Sequence, residues 1–211
     1  VTRMGGDSQW NDVQLVRRRD RQIAYYRWGD GAPVTLAVHG FPDGPTTFAQ
    51  LQQRLGQGTW IMPFLRGYGP SMPPPDGDYS VLALGEDLLA LMDALDVPCA
   101  HLIGHDWGSL AAYFAAVAAP ARIRSLALLS APPPALFLAN LLRHPGQLWR
   151  SRYMLRFQLP WWPLRELQKH PRRVIERYWR RWAATWPLHA ATEHLDRVTA
   201  IFETPHTPAA A

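Results

Sequence analysis

Four short apolar runs constrain this chain more than any other feature: VTLAVHG (34–40), TWIMPF (59–64), CAHLIGH (99–105) and RIRSLALLS (122–130). Each is of strand length and lacks the polar alternation of a half-exposed strand, so each reads as a strand buried on both faces. Helix-patterned segments separate them. TFAQLQQRL (47–55) follows the first run. Ser80 can cap a helix running to about Leu95, with Val81, Leu84, Leu88, Leu91, Met92 and Leu95 on one face at helical period. AAYFAAVAA (111–119) is a third helix, rich in small residues. Strand and helix alternate, which implies a mostly parallel sheet with helices on both faces. Ahead of them, residues 12–20 and 21–29 read as a more polar, antiparallel strand pair.

The pattern changes after Pro134. Residues 135–200 show helix-like stretches broken at Pro145, Pro160, Pro163, Pro171 and Pro187, with no convincing strand. The expected division is an α/β core over 1–134 and a helical cap over 135–211, the chain ending before any further core strands. The final TPHTPAAA reads as loop.

Composition fits a folded chain and excludes several classes of protein. Of the 211 residues, 47% are apolar and 18% charged, enough for a substantial core and unlike a disordered chain. Cys99 is the single cysteine, which excludes an internal disulfide framework and a cysteine-rich zinc site. No metal or cofactor is expected, and a reducing, cytoplasmic setting fits best. No secretory signal is visible in VTRMGGDSQW. The longest apolar candidate for a membrane helix, residues 125–142, is broken by Pro132, Pro133 and Pro134. Ten Arg and one Lys between Arg143 and Arg181 face only Glu166 and Glu176. Basic charge among tryptophans can signal nucleic acid or an anionic membrane surface. Arg outnumbers Lys 21 to 1 across the whole chain, so the simpler reading is a general arginine bias on solvent-facing helix sides, and no nucleic acid is expected.

The chemistry concentrates in GHDWGS (104–109). Asp106 follows a buried strand and precedes a helix, with Gly104 and Gly108 two positions to either side. A sharp strand-to-helix turn needs small residues there, because the nucleophile is held in a strained conformation while strand and helix pack closely around it. This is the G-x-S-x-G nucleophile elbow with Asp in place of Ser. HGFPD (39–43) follows the strand at 34–40, where hydrolases of this architecture place a loop whose backbone N–H helps form an oxyanion hole. RGYGPS (66–71) follows the strand at 59–64. The three motifs converge on the rim where open α/β sheets bind ligands.

HGFP, RGYGPS and GHDWG together resemble the α/β-hydrolases of the epoxide hydrolase group, over nearly the whole chain. An Asp nucleophile suits attack at an alkyl carbon, giving an alkyl-enzyme ester whose carbonyl belongs to the enzyme. Water then attacks that carbonyl, and the backbone N–H groups of Phe41 and Trp107 are the expected donors to the oxyanion on Asp106. Haloalkane dehalogenases resemble the elbow too, but usually carry Asn at the position of Phe41, so Phe41 with Trp107 points to epoxides. The resemblance also implies a cap tyrosine that protonates the leaving alkoxide. YMLRFQ (153–158) matches its context and assigns that role to Tyr153.

His39 and His105 read as structural residues beside the elbow, supporting it with Gly40 and Pro42, and Asp43 as bonded within its own turn. The family's catalytic His and its orienting acid follow the cap, and no segment here matches them. The histidines at 144, 170, 189, 194 and 206 fall in the cap or tail and are poor substitutes. The expected function is a hydrolase opening a small hydrophobic epoxide to a diol, impaired by truncation. A dehalogenase-like hydrolase and a catalytically silent ligand-binding protein are the alternatives; the oligomeric state is unread.

Overall fold

A computed structural model describes residues 12–18, 21–131, 136, 143, 144, 146, 162–183 and 191–211. Six strands form one sheet in the order β1-β2-β4-β3-β5-β6: β1 Gln14–Arg18, β2 Arg21–Trp28, β3 Val34–Val38, β4 Thr59–Pro63, β5 Ala100–His105 and β6 Ile123–Leu129. β1 with β2 and β2 with β4 are antiparallel; β3 with β4, β3 with β5 and β5 with β6 are parallel. The core lies at the middle of this sheet, where Leu36, Val38, Ile61, Met62 and Leu102 are buried together with Leu91 and Met92 of helix α2 (Val81–Ala94). Ser80 caps α2 by accepting from the Ala83 N–H at 3.3 Å, as its sequence position implies. Helix α1 (Ala49–Leu55) is preceded by a 3-10 turn at Pro45–Phe48.

Two elements differ from expectation. Helix α3 spans Trp107–Ala118 and so begins four residues before the expected 111, because the turn at Asp106 closes directly into the helix. Small residues at 108 and 109 lower helix propensity but are what lets the helix start there (see below). β6 has buried-strand composition yet is largely exposed, with Leu126 and Leu129 open to solvent. Among the described residues it pairs only with β5, so one edge and much of its surface have no covering partner.

Among the described residues four further helices are delimited: α4 Trp162–Lys169, α5 Pro171–Trp182, α6 Thr192–Glu203 and α7 Thr207–Ala210. Val174, Ile175, Tyr178 and Trp179 of α5, with Leu195, Val198 and Phe202 of α6, form one buried stripe, while arginines occupy the outer face. Arg172 bonds Glu176 at 2.5 Å and also Asp196, and Arg177 bonds Glu166 at 2.6 Å, so part of the basic charge is spent on pinning these helices to one another. The expected terminal loop is instead the short helix α7. Thr207 and Pro208 are buried there, because the segment packs on the loop after β4.

Candidate active site

The site is assembled where β3, β4 and β5 end. Asp106 leaves β5 with φ 53° and ψ −117°, a conformation that L-residues rarely adopt. Backbone bonds brace it: its N–H donates to Leu129 O of β6 at 3.0 Å, and its carbonyl accepts from the Ser109 N–H at 2.9 Å. The two flanking glycines are required by contact rather than by torsion. A Cβ on Gly104 would stand 2.3 Å from Gly108 O, and one on Gly108 would stand 2.0 Å from Val38 O. Helix and strands therefore meet backbone to backbone. The hydroxyl of Ser109, bonded to Gly104 O at 2.7 Å and to Leu129 O and N at 2.8 and 3.1 Å, joins β5, α3 and β6.

Phe41 supplies the first donor. Its N–H donates to Asp106 Oδ2 at 3.0 Å. Among the described residues no hydrogen bond reaches Oδ1. Gly40 makes this approach feasible, since a Cβ there would lie 2.5 Å from Asp106 Cβ and 2.7 Å from Oδ2. Trp107 is the first residue of α3, so its N–H belongs to the helix end whose donors have no partner within the helix and whose dipole favours negative charge. Its side chain is 39% exposed. The ring of Phe41 meets Tyr178 of α5 and Phe202 of α6 edge-on at 6.0 and 5.9 Å, so the apolar surface beside Asp106 is shared between the sheet and the helical segment.

Of the two motif histidines, His39 has both ring nitrogens bonded to backbone. His39 is fully buried; Nδ1 donates to Gly40 O at 3.0 Å and Nε2 accepts from the Leu65 N–H at 3.2 Å. Burial pushes its pKa down to about 4, so the ring is neutral and links the loops after β3 and β4. His105 ends β5, and its Nδ1 is buried with no partner among the described residues. RGYGPS is likewise a scaffold. Arg66 bonds Asp87 of α2 at 2.7 Å, Ala83 O at 2.7 Å and Asp78 O, while Ser71 bonds Phe64 O at 3.0 Å. Tyr68 lies between His39 and Phe202 with its hydroxyl buried and unpartnered among the described residues. Burial raises its phenol pKa well above the ordinary value, and the charges of Asp106 and Asp43 act in the same direction.

The remaining polar contacts come from far along the chain and were not read from the sequence. Asp43 accepts from the Gly44 N–H at 2.8 Å, as a turn residue should, but the same oxygen also bonds His194 Nε2 of α6 at 2.9 Å. His194 Nδ1 meets Thr46 Oγ1 at 3.0 Å. Burial opposes ionisation of Asp43, yet its bond to His194, that residue's charge, and the bonds from Gly44 and Thr47 outweigh it and hold the carboxyl below its usual range. Trp179 Nε1 donates to Pro42 O at 3.1 Å, and Gly69 is bonded by Thr207 Oγ1 and His206 Nε2. No local pattern marks His194 or Thr207 as partners of these loops.

Tyr153 lies outside the described residues, as does His189. Among the described residues no cluster of three or more His, Cys, Asp or Glu could hold a metal ion, and no helix is long and apolar enough to cross a membrane.

Comparison with known proteins agrees with this fold. The family model for the alpha/beta hydrolase fold matches residues 33–191. Human epoxide hydrolase 4 is 35% identical over 135 residues, 63% of this chain and 37% of that protein. Epoxide hydrolase 3 of Xenopus tropicalis is 33% identical over 150 residues, 69% of this chain and 41% of that protein. The crystal structure of epoxide hydrolase A from Mycobacterium thermoresistibile superposes with a TM-score of 0.76 at 26% identity, covering 94% of this chain and 72% of that one. The chain thus spans 37% and 41% of the length of these two curated relatives. With a strained elbow at the end of β5, a donor loop after β3 and a family match over 33–191, the chain belongs to the α/β-hydrolase fold family.

Proposed function

We propose that this chain carries the alkylation machinery of an epoxide hydrolase. The observation that bears most weight is the pairing of Asp106 Oδ2 with the Phe41 N–H at 3.0 Å, which leaves Oδ1 free beside an apolar wall. In the first step Oδ1 attacks a ring carbon of the epoxide; a C–O bond to Asp106 forms as the ring C–O bond breaks. The leaving oxygen takes a proton from the Tyr153 hydroxyl. In the second step water adds to the ester carbonyl carbon of Asp106, negative charge develops on Oδ2, and the N–H groups of Phe41 and Trp107 stabilise it. Collapse breaks the bond between the carbonyl carbon and Oδ1, which leaves as a diol oxygen and takes the second water proton, and the carboxylate is restored with one oxygen from water. The proton lost by water returns to Tyr153 through a base.

Three of the described histidines are committed elsewhere and are not assigned as that base. His39 has both nitrogens bonded inside the core, His194 has both bonded to Asp43 and Thr46, and His206 bonds Gly69. In this reading the water-activating His and its acid belong to a segment corresponding to the relatives' remaining length. Where that His is lacking, the ester on Asp106 is hydrolysed slowly. The substrate is a small hydrophobic epoxide, because the lining beside Asp106 includes the aromatic rings of Phe41, Tyr178 and Phe202. A halide leaving group is disfavoured, since a phenylalanine at 41 offers no side-chain N–H to hold it.

The test is intact mass after incubation with styrene oxide. One epoxide equivalent should be retained, mapping to Asp106 and absent from Asp106→Ala. Absence of an adduct, or one that survives Asp106→Ala, overturns the reading.

A further inference from the structure

We propose that His194 is a positioning residue for the oxyanion donor: by gripping Asp43 and Thr46 it holds the loop that aims the Phe41 N–H at Asp106. The proposal rests on the assignment of Asp106 as nucleophile made above.

The loop after β3 has little backbone bonding with which to hold itself. Gly40 and Gly44 widen the conformations open to it, and Pro42 and Pro45 remove two N–H donors. Among the described residues its internal ties are the bond from His39 Nδ1 to Gly40 O at 3.0 Å, the bonds from Gly44 and Thr47 to Asp43, and a bond from the Thr47 N–H to Gly44 O at 3.1 Å. Three further anchors come from α5 and α6. His194 Nε2 reaches Asp43 at 2.9 Å, His194 Nδ1 reaches Thr46 at 3.0 Å, and Trp179 Nε1 reaches Pro42 O at 3.1 Å. The His194 ring lies 5.0 Å from that of Trp179, and Ile201 fills the space that a side chain at Gly44 would need. Asp43 is only two residues from Phe41, and the carbonyl between them is the one Trp179 holds.

The protons balance in either state of the ring. A neutral His194 carrying hydrogen on Nε2 donates to the Asp43 carboxylate and accepts from the Thr46 hydroxyl. A protonated ring donates to both, with the hydroxyl reversed. Both nitrogens are directed at the loop, which suits a clamp and not a base. Gln at 194 can place an amide N–H where Nε2 stands and keep the Asp43 bond. Ala leaves a buried carboxylate without its principal partner, and the loop shifts to rehydrate it.

Amide hydrogen exchange resolved at Phe41 tests this, because that N–H is protected by its bond to Asp106. In His194→Ala, Phe41 should exchange about tenfold faster or more, as expected for loss of a bond to a charged group. Leu102 and Ile103 of β5 should stay unchanged, and His194→Gln should restore Phe41 close to the parent rate. Unchanged Phe41 protection in His194→Ala, equal acceleration in β5, or a Gln variant no better than Ala each overturns the proposal. Should the Ala variant fail to fold, His194→Asn, which keeps the Thr46 side and loses Asp43, stands in for it. The chemical readout is the rate at which the styrene oxide adduct on Asp106 is hydrolysed once excess epoxide is removed, followed by intact mass, which should fall in His194→Ala because the oxyanion of that step is the charge the Phe41 N–H meets; an unchanged rate overturns the proposal. If the parent chain is not alkylated at all, the nucleophile assignment falls, while exchange at Phe41 still decides the clamp.

Discussion

Gly108→Ala is a substitution for which two physical arguments give opposite signs. Gly108 is the second residue of α3, and on helix propensity alone the change should stabilise by about 1 kcal/mol. The tertiary contact says otherwise. The new Cβ would stand 2.0 Å from Val38 O, 2.5 Å from Val38 C and 2.6 Å from His39 O, where real Cβ contacts essentially never fall below 3.0 Å. All three atoms are backbone of β3 and the loop that follows it, so no side chain can swing aside. The start of α3 must move away from the sheet by roughly 1 Å, in a region where Val38 and His39 are fully buried. Overpacking of this kind costs about 3 kcal/mol, and subtracting the propensity gain leaves a net loss of about 2 kcal/mol. In urea denaturation followed by tryptophan fluorescence, the midpoint should fall by roughly 1 M at unchanged slope. The same displacement moves Asp106 from the Phe41 N–H, so hydrolysis of an ester on Asp106 should slow as well. A midpoint equal to or above the parent's would refute the claim that backbone contact, and not torsion or propensity, requires glycine at 108.

Three further outcomes follow from the same structure. Because Asp106 sits at φ 53°, Asp106→Gly should be more stable than Asp106→Ala by about 1 to 2 kcal/mol, reversing the usual order, with neither variant forming an adduct; equal midpoints would show that the elbow is unstrained. His39 has a folded pKa near 4 against 6.5 unfolded, so between those values the unfolded chain binds more protons and its stability contribution, complete above 6.5, is lost as pH falls to 4. The parent should therefore lose about 3 kcal/mol more than His39→Gln over that window, read from urea midpoints at successive pH values. Ser109→Ala leaves the Leu129 N–H without its partner and should cost about 1 to 3 kcal/mol, with faster exchange at Leu129 as the local marker.

Much of the architecture was legible because it depends on short-range patterns. The four apolar runs became β3 to β6, and the polar pair ahead of them became the antiparallel β1 and β2. Ser80 caps α2 because a hydroxyl three residues before an orphan N–H acts locally. Misreadings arose where packing outweighed pattern. The start of α3 was set four residues late, since Gly108 and Ser109 look unhelical until their contacts with β3 and β6 are known. β6 was read as buried because apolar composition reports what a strand can cover, not what covers it. The tail was read as loop because TPHTPAAA carries no periodicity; Thr207 is buried by its bond to Gly69, 138 residues away.

The sequence by itself determined the elbow and the aspartate it presents. Glycine spacing, strand before and helix after are all read within a few residues of Asp106, and the steric rules governing them are local. Tertiary structure decided which partners serve the site. The chain has eight histidines, and nothing in their neighbours sets His194 apart from the rest. It was singled out when α6 came to lie over the HGFPD loop, 151 residues from Asp43, and brought a buried carboxylate and an imidazole within 2.9 Å. Burial made that pairing matter, because a carboxylate removed from water must find its hydrogen bonds in the protein, and only the folded chain settles which side chain is near enough to provide them.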